Sequence, residues 1–372
     1  MEVELSDDQV LVHETAVRFV EAELPLTATR GLHDDPLGYD RAWLRKSAEL
    51  GWFGMLVPEA LGGGCVSEHG LADAAIVAEV LGRAVQPGPF LPMNVVAAAL
   101  AGGGSDRLQQ EVLPALVAGE EVAAWAWTDA VGEIDGGAGV AASADGDRIV
   151  LRGRRGFVVE APSADHLLVA ATLDGQAVHV LVPAGADGVV RTPLAGLDLS
   201  RRFAHVDLDD VAVPADAVVR VDGGSLHRTA VVLLLAGMVG AMDALFDMTV
   251  AYAKDRTAFG RPIGSFQALK HVLADQAMHL EAAKAVSAAA TRAVARGDDD
   301  AAAVVHMAAA HVGERGPELA QECLQVHGGI GYTWEHDLHL LMRRIRSDAL
   351  LLGEPTWHRE QLCRFHDLGA RA

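Results

Sequence analysis

The stretch AYAKDRTAFGRPIGSFQ, residues 251–267, reads as the end of one long helix, a charged Gly-Arg-Pro-Ile-Gly turn and the start of a second helix. Arg256 on this elbow carries a rigid, permanently charged fork suited to a phosphate or pyrophosphate. Further along, QVHGGIGY at 325–332 offers glycines that let backbone N–H groups come close to an anion. Two long helices joined by such an elbow point to a helical bundle that handles a phosphorylated cofactor.

Working outward, 372 residues with 51% apolar content suffice for two or three domains and a large core. A formal net charge of −21 sets the surface against nucleic acid and anionic membranes, so neither is an expected partner. Cys65, Cys323 and Cys363 show no CxxC spacing, which speaks against a metal cluster or disulfide framework and for a reducing cytoplasm. The start MEVELSDDQ has neither the basic flank nor the apolar core of a signal peptide, so a cytoplasmic location is expected. The most apolar run, 230–242, is shorter than the roughly 20 residues that span a bilayer and precedes Asp243; a buried bundle helix is expected there.

Residues 1–120 have helical texture, with Ser6-Asp7-Asp8 capping a first helix, further helices at 39–50 and 71–81, and Pro87, Pro89 and Pro92 as stops. Over 121–222 the pattern changes to short apolar runs at 122–127, 148–151, 156–159, 166–171, 177–182 and 205–208. Asp145-Gly146 and Asp174-Gly175 are hairpin signals between them, which predicts a small antiparallel, barrel-like β domain. Over 223–372 helices return at about 226–254, 265–296, 300–327 and 337–352, long elements with short connections that predict a four-helix bundle. The expected class is α+β, in the order α, β, α.

This architecture, with DRTAFGRPIGSFQ at 255–267 and QVHGGIGY at 325–332, resembles the acyl-CoA dehydrogenase family over the whole chain. Supporting details are Gly51-Trp52, Pro58-Glu59 and Gly62-Gly63 in the first domain, Trp127-Thr128-Asp129 opening the sheet domain and 211–214 closing it. The resemblance implies FAD between the β domain and the bundle, completed by a neighbouring subunit. By matching position, Trp125, Trp127 and Thr128 would face the flavin, the Thr128 hydroxyl or backbone N–H donating to it, and Phe157 and Val159 would flank the ring. Arg256, Phe259, Gln325, Gly328 and Gly329 would serve the partner's FAD. Core packing of the tryptophans, a surface ion pair for Arg256 and a helix-end turn for the glycines are the plainer readings of the same residues. At Val159 many relatives place a hydroxyl, which Val lacks.

The family reaction removes an α-proton from an acyl thioester while a hydride leaves the β-carbon for the flavin, so a carboxylate belongs beside the α-carbon. The ungapped match puts Leu352 at the usual base position, and a hydrocarbon accepts no proton. Some relatives carry the base on the first bundle helix, where Ala230 or Gly237 stands here, and a supporting arginine aligns with Val231. Three routes to a base remain: a two-residue slip that brings in Glu354, a reach by Asp243, or supply by another polypeptide, as in relatives built from two different subunits. The expected function is FAD-dependent α,β-dehydrogenation of an acyl-CoA thioester as one subunit of a hetero-oligomer, the subunit without the catalytic base; the expected partners are a homologous dehydrogenase subunit in a homo- or heterotetramer and an electron-transfer flavoprotein or similar acceptor. A silent subunit that only completes a partner's FAD site and a flavin-dependent monooxygenase are the rival readings. His306 and His311, and His336 and His339, lack the accompanying cysteines or carboxylates of a metal site. His358-Arg359 is a candidate contact for a CoA phosphate or a solvated basic patch.

Overall fold

Ser6 caps α1 (Asp7–Glu23) reciprocally: its Oγ accepts from Gln9 N–H and the Gln9 side chain accepts from Ser6 N–H. The computed structural model describes residues 5–32, 34–134 and 136–368, so the first four residues of the acidic N-terminal stretch lie outside it. The helical first third continues through α2 (Leu26–Thr29), α3 (Arg41–Glu49), α4 (Gly70–Arg83), α5 (Phe90–Gly103) and α6 (Leu113–Val117). Pro92 is not the stop expected of it. It lies in the first turn of α5, where a missing N–H costs no helical bond.

The central sheet holds β1 (Ala123–Ala126), β2 (Val140–Asp145), β3 (Arg148–Val159), β4 (His166–Leu173), β5 (Gln176–Pro183), β6 (Val189–Leu194), β7 (Phe203–Pro214) and β8 (Val218–Val219). Its order is β6-β7-β3-β2-β4-β5-β8, with β1 laid against β4. Both hairpin dipeptides sit at turns, since Asp145 pairs with Arg148 and Leu173 with Gln176. The ladders are antiparallel except that β4 takes β1 and β2 in parallel. β1 is buried at all four positions, as parallel strands covered on both faces are. The runs at 148–151 and 156–159 form one strand, bent by register shifts after Leu151 and Arg155.

α7 (Gly223–Asp255), α8 (Gln267–Arg296) and α9 (Ala301–His327) are the long bundle helices, and α10 (Leu338–Asp348) with α11 (Pro355–Phe365) take the fourth position. α11 was not expected; Pro355 opens this helix, where its fixed φ is an asset. α7 is long and apolar enough to cross a membrane, and here it is the buried core helix of the bundle. It meets α4 backbone to backbone: a Cβ on Gly82 would lie 1.9 Å from Gly237 O, and one on Gly240 2.0 Å from Glu79 O. α8 is buried only from Leu280 onward, leaving its first 13 residues, 267–279, without a buried one.

Candidate functional site

The positions expected at a flavin fall into two groups. Phe157 is thrust outward by the second β3 bulge, with φ 51 and 42% exposure. A bulky residue in left-handed conformation is strained, and strain of this kind gathers at binding sites. Val159, two residues on, is half-buried and ends the strand. Thr128 is buried, and its hydroxyl donates to Gly156 O at 2.6 Å. That proton is committed, so only the Thr128 backbone N–H remains to donate to a ligand. Trp125 and Trp127 are turned into protein: they stack on each other with centroids 4.9 Å apart, Trp127 stacks on His179 at 5.6 Å, and neither indole N–H has a partner among the described residues.

The elbow is a miniature hairpin. β9 (Thr257–Ala258) pairs with β10 (Arg261–Pro262), and Ile263 N–H donates to Arg256 O at 2.8 Å. Phe259 at its tip has φ 53 and is 96% exposed. Arg256 is exposed, and no described residue pairs with its guanidinium. Tyr252 stacks on His327 at 4.5 Å, which brings the end of α7 beside the end of α9. The elbow and the 325–332 stretch are therefore neighbours in space. Gln325 is exposed there, and Gly328 and Gly329 have open space around their α-carbons.

At the expected base position, Leu352 is 6% exposed with φ 63, and its carbonyl accepts from His227 Nε2 at 2.8 Å. A carbonyl only accepts, so the proton of His227 is on Nε2. Glu354 stands at the N-cap position of α11 without a side-chain capping bond, exposed, with Thr356 Oγ1 3.5 Å from its Oε2. The chain thus buries Leu352 and turns Glu354 to solvent, the reverse of the slipped register. Ala230 and Val231 are buried apolar positions on α7. Asp243 is held by Arg83 and by Lys284, the latter at 2.6 Å, and does not reach inward.

No motif foretells what surrounds Leu352. His227 on α7, His306 on α9 and His358 on α11 converge, with His306 Nδ1 2.8 Å from His358 Nδ1, so one of the two donates. Burial drives their pKa values down, to about 4 for His227 and His306 and about 3 for His358. They are neutral at pH 7. Because His358 is buried and Arg359 is ion-paired with Glu314, this pair is not a free cationic patch for a CoA phosphate. Periodicity cannot foretell such a meeting, since the three residues come from separate helices. Among the described residues no group of three His, Cys, Asp or Glu side chains is arranged to hold a metal ion.

The residues available to FAD fit it in part. The unpaired Arg256 fork suits a pyrophosphate, the exposed Phe157 and Phe259 rings suit aromatic stacking, and the open Gly328-Gly329 backbone suits an anion. The tryptophans are already stacked on protein rings.

Two family models match the chain: acyl-CoA dehydrogenase, N-terminal domain, over residues 6–120, and acyl-CoA dehydrogenase, C-terminal domain, over residues 225–365. Acyl-CoA dehydrogenase IpdE2 of Mycolicibacterium smegmatis is 32% identical over 97% of this chain and 98% of its own length. Among solved structures, the ChsE4-ChsE5 complex from Mycobacterium tuberculosis superposes with a TM-score of 0.91 at 29% identity, covering 99% of each chain. The Tcur3481-Tcur3483 steroid ACAD variant superposes with a TM-score of 0.88 at 26% identity, over 98% of this chain and 99% of that one. With its helical, β-sheet and helical parts in the family order and a full-length relative above 30% identity, the chain belongs to the acyl-CoA dehydrogenase family of flavoprotein oxidoreductases.

Proposed function

We propose that this chain is one subunit of a hetero-oligomeric acyl-CoA dehydrogenase, in which its elbow and 325–332 stretch complete the FAD site of a homologous partner subunit while its own base position is filled by Leu352. The observation that carries this reading is an asymmetry. Arg256 is exposed with no described partner and Phe259 is 96% exposed, touching only the edge of the Phe266 ring, whereas Leu352 is buried and neither the exposed Glu354 nor the ion-paired Asp243 stands in for it. Bound FAD supplies a two-electron acceptor for a β-hydride. Arg256 would hold the pyrophosphate by charge-assisted hydrogen bonds, Phe259 would cover apolar cofactor surface, and the Gly328-Gly329 backbone would approach it closely. Phe157 would lie along the flavin of this chain's own side, with the Thr128 N–H donating to it. The α-proton is then taken by a carboxylate of the partner, and an electron-transfer flavoprotein or similar acceptor reoxidises the assembly.

Two relatives support the assembly and the substrate class by their names: one solved structure is a complex of two differently named chains, and another is called a steroid ACAD. A bulky, polycyclic CoA thioester is the proposed substrate. Unpaired Cys65, Cys323 and Cys363 accord with a reducing cytoplasm. The test is to purify the chain alone and together with a homologous dehydrogenase chain of its source. A colourless single chain and a yellow, thioester-bleached complex are expected. A single chain that is yellow and bleaches anaerobically with an acyl-CoA overturns the reading.

A further inference from the structure

A column of rings crosses from the sheet into the bundle beside Leu352. Trp127, just past β1, lies nearly parallel to His179 of β5, 7° apart at 5.6 Å, and stacks on His227 of α7 at 6.2 Å. His227 meets the edge of Trp357 at 5.6 Å and the face of His358 at 6.2 Å, both on α11. His227 also ties the column to the backbone of Leu352. All the rings except that of Trp357 are less than about a tenth exposed: Trp127 8%, His179 2%, His227 5% and His358 2%.

The backbone on either side is shaped to the column. A Cβ on Gly223, at the start of α7, would come within 2.9 Å of the Trp127 indole and 3.3 Å of His179. Gly353 has φ 122, and a Cβ there would lie 2.8 Å from both His358 Nε2 and the Trp357 ring. Both ends of the gap between sheet and bundle are therefore glycines that let rings in. The rings fill the space between the sheet and α11, and a cavity bordering the same segment, lined by Val231, Leu235, Gly353 and His358, holds about 10 Å³, room for a water and not for a thioester.

We propose that Trp127, His227, Trp357 and His358 form a built-in plug that seals this chain's own cleft at Leu352, so that no acyl thioester is held there. The inference rests on the subunit role proposed above and says where in the assembly the reaction does not run. His179 backs the plug from the sheet side.

Carbethoxylation of the full-length chain by diethyl pyrocarbonate, read histidine by histidine from peptide masses, tests it. The reagent attacks neutral imidazole, so the low basicity of the buried histidines does not itself protect them. Exposed His13, His69, His271 and His366 should react readily, and His179, His227 and His358 more than about tenfold more slowly, as locally closed segments do. Trp127→Ala should raise labelling of His227 towards that of His271. Should that variant lose its circular dichroism, Trp357→Ala, at the less buried end, gives the same reading. Labelling of His227 in the unaltered chain at the rate of His271 overturns the proposal, as does a His227 that stays protected in a folded plug variant. A change in His227 labelling of the unaltered chain on adding octanoyl-CoA overturns it too. These outcomes are separate from the colour of the purified chain, so the plug and the subunit role fail independently.

Discussion

Leu352 holds a left-handed backbone that costs a branched side chain on the order of 1–3 kcal/mol, and the hydrogen bond from His227 holds the carbonyl in place. Such a turn is over-determined, and it leaves Glu354 facing solvent. Glu354→Gln should leave turnover of the assembly nearly unchanged. A catalytic base is worth roughly 10²–10⁴-fold, so a loss of that size on measuring kcat would restore Glu354 to the role. Arg256 is argued from the opposite circumstance, a charge with no described partner. A hydrogen bond to a charged group contributes about 1.5–3 kcal/mol, so Arg256→Ala should weaken flavin retention by the assembly about 10- to 100-fold. Flavin content per chain after gel filtration is the readout, and unchanged content removes the assignment. What the sequence made legible here was residue type at motif spacing, and the fold brings the elbow of Arg256 and Phe259 beside the glycine pair. The committed hydroxyl of Thr128 and the inward turn of Trp125 and Trp127 were not legible, because each depends on a partner from a distant strand or helix.

Between elements, the closest approach is that of α4 to α7, where Gly82 and Gly240 let the two backbones touch. Any side chain at Gly240 must push the helices apart, so Gly240→Ala should destabilise the chain by about 1–3 kcal/mol and Gly240→Leu by more, read as a lowered thermal midpoint. The histidine junction of α7, α9 and α11 has a pH signature. His227, His306 and His358 have folded pKa values below the ordinary 6.5, so the unfolded chain binds their protons more readily. Their contribution is fully present above pH 6.5 and is lost as pH falls from there towards 4, by up to roughly 1.4 kcal/mol per unit for each group. Glu160, raised to about 7 by burial, acts in the opposite direction over much of this window, favouring the fold when protonated and losing that advantage as pH rises from 4.5 towards 7. A difference between variants isolates the histidines: His306→Gln should flatten the fall in urea midpoint between pH 7 and pH 5. An unchanged slope would mean the junction does not hold these groups neutral. The long helices and most strands were readable from periodicity, since each carries its own apolar pattern. β2, β6, β8 and α11 were not, being short, polar or masked by Gly-Pro punctuation.

The three parts of the molecule are tied at one buried ionic junction. Arg344 of α10 donates to Asp198 Oδ2 at 2.7 Å and to Ser200 Oγ at 2.6 Å, both between β6 and β7, and to Gln86 O at 3.2 Å, between α4 and α5. Arg201 bridges Asp198 and Asp348 at the end of α10, 3.7 and 2.9 Å away. The two arginines hold the Asp198 carboxyl below its usual range despite full burial, while at Asp348 burial wins and raises the pKa to about 6. Asp348 is one turn before Leu352, so the junction also anchors the segment that closes the cleft. Removing one partner of a buried pair leaves the other charge uncompensated, at a cost of about 3–5 kcal/mol. Arg344→Met should therefore lower the thermal midpoint by roughly 4–6 °C and also speed carbethoxylation of His227, because the anchor of the closing segment is lost. The double variant Asp198→Asn with Arg344→Met should recover a large part of the stability, since no bare charge is then left behind. A single variant whose stability stays within about 1 kcal/mol of the unaltered chain would make this ionic junction a passenger in holding the three parts together.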